Sequence, residues 1–174
     1  MPQWVIRRLT PRHDRTRFDC GNPASNDWLR LRAGQFERKD LARVYAATGP
    51  GEDVVVGYYA ISNHRVCYDA LPTEQAKGLP RIDVPVVLLV QLAVDRTAQR
   101  QGLGSLLVVD ALRRTQHVSE HSGVRAVEVQ AADEAARRFY VNLGFVPLLD
   151  DGQHLFLPMQ VIRKLALPPL GVDA

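Results

Sequence analysis

Two glycines separated by one residue, Gly102 and Gly104, have a spacing that could form a phosphate-binding loop. They belong to the segment 99–104, Gln-Arg-Gln-Gly-Leu-Gly, which follows an apolar run and precedes a helical pattern. A strand, a glycine-containing loop and a helix in that order leave backbone N–H groups unpaired at the helix N-terminus, where the helix dipole favours negative charge. Gln99 and Arg100 add side-chain donors. On spacing alone the segment is either a structural turn or an anion site, and both interpretations stay open.

The two best-known nucleotide-binding loops do not fit these residues. A Walker A loop needs Gly-Lys followed by Ser or Thr, a sequence that the chain does not contain. A dinucleotide fingerprint needs a third glycine where Leu107 stands, and an acidic residue after the next strand, where the chain has Gln130-Ala131-Ala132. Any anion held here is therefore predicted to be something other than ATP or NAD.

Several titratable residues downstream are candidates for proton transfer. Tyr140 follows Phe139 in a second helical pattern. A tyrosine hydroxyl is protonated at neutral pH and can act as a general acid, although an arbitrary Phe-Tyr pair on a helix is more often part of the core. His64 and Glu128 are candidates for accepting a proton, but a surface histidine and an ordinary strand carboxylate explain them equally well. Asp133 is most simply a helix N-cap.

Metal-binding and disulfide-bonded classes have no support in the sequence. No ligand spacing was found among the histidines His64, His117, His121 and His154. The two cysteines, Cys20 and Cys67, form no CxxC pair. The N-terminal residues contain no apolar h-region, and the longest apolar run spans about ten residues, too short to cross a bilayer. We therefore expect no bound metal, no disulfide framework, no secretion and no membrane insertion.

Alternating patterns place these residues on a mixed α/β fold. Apolar and β-branched runs predict strands at 3–9, 42–48, 54–61, 86–94 and 124–130, and a final hairpin of 145–149 with 154–158. Helices are predicted from a cap at Ser25 or Asn26 to about Lys39, from Leu103 to about His121, and from the Asp133 cap to Leu143. The length of 174 residues suits one domain over residues 1–160 followed by a tail over 161–174.

Basic charge is concentrated near the N-terminus. Residues 1–46 hold ten Lys and Arg against five Asp and Glu, a net charge of +5, whereas the rest of the chain has a net charge of −2. Arg32, Gln35 and Lys39 share one stripe of the first predicted helix. Such a region favours a polyanionic partner, either nucleic acid or an acidic protein surface. A solvated arginine-rich surface is the alternative.

Three stretches together carry a family likeness: Leu92-Ala-Val-Asp-Arg-Thr-Ala-Gln-Arg-Gln-Gly-Leu-Gly-Ser105, Val127-Glu-Val129 and Asp133-Glu-Ala-Ala-Arg-Arg-Phe-Tyr-Val-Asn-Leu-Gly-Phe145. They resemble the acetyl-CoA-binding core of the GNAT N-acetyltransferases. The resemblance implies a central, twisted and mostly antiparallel sheet with helices on both faces. It also implies that one parallel strand pair, 86–94 with 124–130, splays apart to admit the pantetheine arm of acetyl-CoA.

The same resemblance implies roles for individual residues. Tyr140 is expected to protonate the departing thiolate, and a backbone N–H around Val94 is expected to polarise the acetyl carbonyl. Acetyl-CoA is the expected co-substrate, and no metal is expected. The residues expected to bind acetyl-CoA are Leu92, Ala93, Val94, Gln99, Arg100, Gln101, Gly102, Leu103, Gly104, Ser105, Asp133 and Phe139.

The N-terminal stretches Asp19-Cys-Gly-Asn-Pro-Ala-Ser-Asn-Asp-Trp-Leu-Arg30 and Leu41-Ala-Arg-Val-Tyr45 are similar to the GNAT toxins of toxin–antitoxin pairs. This likeness implies a cytoplasmic, homodimeric toxin that blocks translation by acetylating the α-amine of aminoacyl-tRNA, and an antitoxin of the ribbon-helix-helix type as partner. The residues expected to bind tRNA are Arg30, Arg32, Arg38, Lys39 and Arg43. Two alternatives stay open: a GNAT enzyme acting on a protein amine or a small metabolite, and a non-catalytic acetyl-CoA sensor.

Overall fold

The computed structural model describes residues 3–168, and a seven-stranded sheet is the main element of that part of the chain. Its strands are β1 (Val5–Arg8), β2 (Arg43–Thr48), β3 (Gly57–Val66), β4 (Val84–Val94), β5 (Ala126–Gln130), β6 (Val146–Pro147) and β7 (His154–Pro158). They pair in the order β1-β2-β3-β4-β5-β7-β6. β4 and β5 are parallel, whereas β1 with β2, β2 with β3, β5 with β7 and β6 with β7 are antiparallel. The predicted fold class, a mixed α/β fold with a mostly antiparallel sheet and one parallel pair, is confirmed.

The helices differ widely in length. They are α1 (Pro23–Asp27), α2 (Ala33–Arg38), α3 (Thr73–Ala76), α4 (Leu103–Ser119), α5 (Glu134–Asn142) and α6 (Met159–Ile162). A π-helical turn, Trp28–Arg32, joins α1 to α2, and 3-10 turns occupy Tyr68–Ala70 and Arg96–Ala98. Within residues 3–168 no helix combines the length and the apolar character needed to span a membrane.

The described residues pack as two compact units. One contains residues 3–62, 90–113 and Pro168, and the other contains residues 63–89 and 114–167. In the first unit, Trp28 and Leu29 pack with Val44 and Tyr58 in a buried cluster. In the second unit, the residues that share a buried cluster include Val66, Leu71, Val86, Ala126 and Phe156. Each unit thus has its own apolar core.

The parallel pair has a short register. Val86 to Leu89 of β4 pair with Ala126 to Val129 of β5. β4 continues beyond Leu89 to Val94, whereas β5 ends at Gln130. The nearly continuous apolar composition of β4 is typical of a strand that is covered on both faces. A parallel register that ends well before β4 does is what the expected splayed pair requires.

The first helix begins earlier than predicted, and the expected cap at Ser25 or Asn26 is wrong. Asn22 caps the helix, because its side chain accepts a hydrogen bond from the Ala24 N–H at 3.0 Å and Pro23 occupies the first helical position. Asn26 is buried instead, and its side-chain oxygen accepts from the Cys20 N–H at 2.9 Å. Its amide serves the preceding loop, a tertiary contact that a cap pattern does not reveal.

The π-helical turn was also not predicted. Trp28 and Ala33 are both buried although they are five residues apart, and the Ala33 N–H donates to the Trp28 carbonyl. An α-helix turns about 100° per residue and separates such positions by about 140°, whereas the i to i+5 bond of a π turn brings them to one side. Trp28 stacks on Tyr58 with ring centroids 5.9 Å apart. Burial of these two residues therefore accounts for the wider turn.

The third strand is displaced from its predicted range of 54–61 to Gly57–Val66. The segment before it pairs with another loop, since the Val55 N–H donates to the Asp14 carbonyl at 3.0 Å and the Asp14 N–H donates to the Asp53 carbonyl at 2.8 Å. Val55 is thereby buried outside the sheet. The β propensity of residues 54–56 is satisfied by pairing with the Asp14 loop, while β3 itself pairs antiparallel with β2.

The C-terminal elements follow the predictions more closely. α4 starts at Leu103 as expected, Asp133 caps α5, and β6 with β7 form the final hairpin. Ile162 at the end of α6 is fully buried, so the chain is still packed at a position assigned to the expected tail over 161–174. Positions 169–174 of that tail lie outside the described residues.

Candidate active site

A buried carboxylate anchors the start of the glycine loop. Asp95 follows β4 and is only 8% exposed. One oxygen accepts from the Thr97 N–H at 2.9 Å and from the Thr97 hydroxyl at 2.7 Å, and the other accepts from the Asp19 N–H at 2.8 Å. The carboxylate therefore caps the 3-10 turn that leads into the loop and ties it to the N-terminal segment. The sequence analysis did not single out Asp95, although Asp-x-Thr after an apolar strand is a capping pattern.

The two glutamines of the loop brace it from within. The Gln99 side-chain amide donates to the Cys20 carbonyl at 3.0 Å and to the Val94 carbonyl at 2.9 Å. The Gln101 amide donates to the Thr97 carbonyl at 3.0 Å. The Gln99 side-chain N–H groups therefore donate to the protein backbone and fix the shape of the loop. The sequence had suggested that they would donate to a ligand. Arg100 is exposed and its guanidinium has no ion-pair partner among residues 3–168.

The backbone of the loop presents amides to solvent. Arg100 and Gly102 have positive φ angles of 60° and 89°, and the Leu106 N–H makes the first hydrogen bond of α4, to the Gly102 carbonyl. The amides of the first helical turn, at Leu103, Gly104 and Ser105, have no acceptor within a helix. A Cβ built on Gly102 would meet no atom within 4 Å. Open space above a row of amides at a helix N-terminus suits a phosphate group.

Leu103 holds this end of α4 in place. It is 1% exposed, and a Cβ built on Gly57 would come within 2.9 Å of its side chain. The absence of a side chain at Gly57 therefore lets α4 approach β3 closely. Leu103 anchors the loop through packing, so its expected role in ligand binding is confined to its backbone.

We expect Gly102→Ala to weaken the binding of acetyl-CoA, the ligand that the sequence resemblance implies, by about tenfold or more. A Cβ at this left-handed position costs about 1–2 kcal/mol of backbone strain, and a loop that relaxes to relieve this strain no longer holds its amides in the same geometry. Gly51→Ala is the matched control, because Gly51 has a φ of 74° and equally open surroundings. Equilibrium binding should show a loss for Gly102→Ala alone. Equal losses in both variants would contradict a ligand role for the loop.

Tyr140, in the second unit, has a hydroxyl that makes no hydrogen bond with the described part of the chain. It is 5% exposed, and its ring lies edge-on to Phe139 and Phe145 with centroids 5.1 and 5.3 Å away. Burial raises the pKa of the Tyr140 phenol. Its hydroxyl has no hydrogen-bond acceptor within residues 3–168, whereas Tyr58 donates to the Ser25 carbonyl at 2.7 Å and Tyr59 donates to Asp110 at 2.6 Å. A protonated, uncommitted phenol of this kind can give a proton to a bound group.

Asp133 precedes Tyr140 on the same element. Its carboxylate accepts from the Ala136 N–H at 2.8 Å and so caps α5, as the capping pattern predicts. Arg137, four residues on, donates to the Gly152 carbonyl at 2.9 Å. The cap fixes the start of the helix that carries Phe139 and Tyr140.

A buried carboxylate in β5 lies between two histidines. Glu128 is 3% exposed, and its oxygens lie 2.9 Å from His64 Nδ1 and 2.6 Å from His154 Nε2. His154 Nδ1 lies 2.9 Å from Asp150. Glu128 pairs with Leu88 in the parallel register, one residue before that register ends. The sequence named His64 and Glu128 separately, and the structure joins them.

The contacts of His154 with Glu128 and Asp150 predict how the stability of the fold depends on pH. Burial lowers the pKa of His154, but the hydrogen bonds that its ring donates to Asp150 and Glu128 and the negative charges of both carboxylates outweigh it, so the pKa is raised from 6.5. A raised pKa stabilises the fold below pH 6.5, and the contribution is lost as the pH rises through the folded-state pKa. The gap in unfolding free energy between wild type and His154→Gln should therefore shrink from pH 5.5 to pH 9 in denaturant titrations. A gap that is constant or grows with pH would contradict the proposed charge on His154.

The basic residues named by the sequence fall into two groups. Arg30, Arg32, Arg38 and Lys39 are exposed, and Arg30 has only a 3.8 Å contact with Asp27. Arg43 is different, because its guanidinium donates to Asp40 at 2.6 Å and to the Glu37 carbonyl at 3.3 Å. Arg43 therefore holds the turn between α2 and β2, and its charge is largely compensated.

Comparisons with known proteins show the family of the chain. The sequence model that describes the acetyltransferase (GNAT) family matches residues 8–145 of this chain. A protein named tRNA-acetylating toxin, from Mycobacterium tuberculosis, is 37% identical over 159 residues, covering 91% of this chain and 94% of that protein.

Two solved structures of the toxin AtaT are similar over nearly the whole chain. AtaT complexed with acetyl-methionyl-tRNA has a TM-score of 0.87 and 33% identity, covering 92% of this chain and 97% of that one. A tyrosine-to-phenylalanine variant of AtaT bound to the C-terminus of the antitoxin AtaR has a TM-score of 0.82 and 30% identity, covering 96% of this chain and 100% of that one. The chain therefore belongs to the acetyltransferase (GNAT) family, and it is an acetyltransferase that uses acetyl-CoA.

Proposed function

We propose that this enzyme transfers the acetyl group of acetyl-CoA to the α-amine of aminoacyl-tRNA and so acts as a translation-blocking toxin. The observation that carries the proposal is the set of exposed basic side chains on the first helical segment, Arg30, Arg32, Arg38 and Lys39, in a chain that is 37% identical to a tRNA-acetylating toxin. Exposed cations neutralise backbone phosphates without reading bases. An acceptor that carries many phosphates fits such a surface.

The glycine loop holds the pyrophosphate of acetyl-CoA in this proposal. The amides of Leu103, Gly104 and Ser105 donate to it, Arg100 supplies a positive charge, and Gln99 and Gln101 keep the loop in shape. Leu92, Ala93 and Val94 at the end of β4 line the pantetheine arm, with Phe139 and Asp133 contributing from α5 and its cap. The N–H around Val94 polarises the acetyl carbonyl.

Deprotonation of the acceptor amine needs no strong general base from the protein, whereas the leaving thiolate needs an acid. The α-amine of an aminoacyl group titrates near or below the pKa of about 7.7–8.0 of a peptide N-terminus, so a good fraction is neutral at cellular pH. Its nitrogen attacks the thioester carbonyl, the C–N bond forms as the C–S bond breaks, and Tyr140 gives its proton to the departing thiolate. The proton that the amine nitrogen loses restores the Tyr140 phenol by way of solvent. Its uncommitted hydroxyl and its raised pKa, which keeps the phenol protonated, support this role.

The proposed location and partners follow from the similarity of this chain to the tRNA-acetylating toxin and to AtaT. The enzyme acts in the cytoplasm, where translation takes place, and works as a homodimer. An antitoxin of the ribbon-helix-helix type holds it inactive, in line with the complex of AtaT and AtaR.

One experiment tests the function directly. The protein is incubated with labelled acetyl-CoA and either charged or uncharged tRNA. Label should appear on charged tRNA alone and should leave with the amino acid on mild alkaline hydrolysis of the ester. Label on a protein or small amine in place of charged tRNA would assign a different acceptor to the same chemistry, and acetyl-CoA binding without transfer to any amine would make the protein a sensor.

A further inference from the structure

The C-terminal end of α4 brings together three side chains that are known metal ligands. His117 lies in the last turn of the helix, and Glu120 and His121 lie in the turn that follows it. All three are exposed, and one ligand atom from each lies within 4.8 Å of the other two. His117 Nδ1 is 3.7 Å from Glu120 Oε2, and the two imidazole rings have centroids 5.4 Å apart. The sequence analysis found no ligand spacing here, although His117 and His121 are four residues apart, the spacing that places two histidines on one helix face.

The chemistry of the set suits a divalent transition-metal ion. Two imidazoles and a carboxylate bind zinc at about 2.0–2.2 Å, which places the ligand atoms of a tetrahedral site about 3.4 Å apart. His117 Nδ1 and Glu120 Oε2 are 3.7 Å apart and all three ligand atoms lie within 4.8 Å of one another, so rotation of exposed side chains can close the remaining distance. The dipole of a 17-residue helix places partial negative charge at its C-terminus, which also favours a cation.

We propose that His117, Glu120 and His121 form a site for a divalent transition-metal ion such as Zn²⁺, with water in the fourth position. The ion clamps the last turn of α4 to the turn after it. α4 is 17 residues long, so the site lies about 25 Å along the helix from the glycine loop. The ion is therefore structural, and it is independent of the acetyl-transfer reaction and of the proposed acceptor.

The test uses the full chain without an affinity tag, freed of metal and titrated with ZnCl₂ by calorimetry and with Co²⁺ by visible absorption. We expect one Zn²⁺ per chain at this site. His117→Ala and His121→Ala should each lower the affinity by about tenfold or more, and Glu120→Gln should lower it less. His13→Ala and His64→Ala, which remove histidines outside the cluster, should leave the affinity unchanged. Strong visible absorption of the Co²⁺ form should report the tetrahedral geometry and should vanish in His121→Ala.

Thermal unfolding supplies a second measurement. An ion that binds the folded state raises the Tm by mass action, so Zn²⁺ should raise the Tm of the wild type and have a smaller effect on His121→Ala. The substituted side chains are exposed, so the apo variants should unfold close to the apo wild type. No stoichiometric binding to the wild type, or binding that all three substitutions leave unchanged, would overturn the proposal.

Discussion

Tyr140→Phe is expected to lower kcat for acetyl transfer by about a hundredfold or more and to leave the KM for acetyl-CoA nearly unchanged. The variant loses only the hydroxyl, and a positioned general acid is worth about 10²–10⁴ in rate. An interaction that acts only in the transition state affects kcat and kcat/KM together. Steady-state kinetics with charged tRNA measures both. Unchanged kcat would remove Tyr140 from the mechanism.

A matched substitution separates chemistry from folding. Tyr58 is as buried as Tyr140, but its hydroxyl donates to the Ser25 carbonyl at 2.7 Å. Tyr58→Phe should therefore lose about 0.5–1.5 kcal/mol of unfolding free energy and keep its kcat. Tyr140→Phe should do the reverse, since no acceptor within residues 3–168 loses a partner. A shared loss of stability in both variants would point to a structural role for the Tyr140 hydroxyl.

The sequence predicted those parts of the fold in which local chemistry and tertiary packing agree. Asp133 caps α5 because an aspartate before a helix needs only the N–H groups that follow it. Leu103 starts α4 because the glycine before it ends the loop and its own side chain is fully buried. The apolar run of β4 predicted a strand, and the strand has buried residues at Val84, Val86, Val87, Leu89 and Ala93. These signals are contained within a few residues.

The predictions that failed depend on distant partners. Asn26 has the right side chain for a cap, but its amide serves the Cys20 N–H. Val55 has β propensity, and it pairs with the Asp14 loop. Trp28 and Ala33 require a π turn because both must reach the same core. None of these choices can be read from spacing, since each is decided by what the rest of the fold brings near.

The candidate site shows the same division. The positions of the glycines indicated that an anion site was possible, because backbone amides at a helix start need no particular side chains, but they left a structural turn equally open. The use of Gln99 as an internal brace depends on the Cys20 carbonyl, 79 residues away in the chain. The pairing of Glu128 with His64 and His154 likewise joins three strands. Sequence reasoning named most of these residues and missed how they are connected.

The basic residues carry the second large expectation, because they should decide which amine is acetylated. Replacing Arg30, Arg32 and Lys39 together by Gln should raise the KM for charged tRNA by about 10- to 100-fold at physiological salt and leave kcat nearly unchanged. Each lost phosphate contact should also reduce the slope of log affinity against log salt by about 1. Arg43 is omitted from the set because Asp40 and Glu37 already compensate it.

Total charge must be separated from position in this experiment. Replacing Arg65, Arg81 and Arg163 by Gln removes the same charge from exposed positions in the second unit. Long-range attraction depends on net charge, and both triple variants change it equally. Direct phosphate contacts depend on where the basic side chains lie on the protein. Only the first variant should therefore show a shallower slope of log affinity against log salt together with a higher KM. Equal effects in the two variants would mean that tRNA is drawn by overall charge, and that the first helical segment does not select the acceptor.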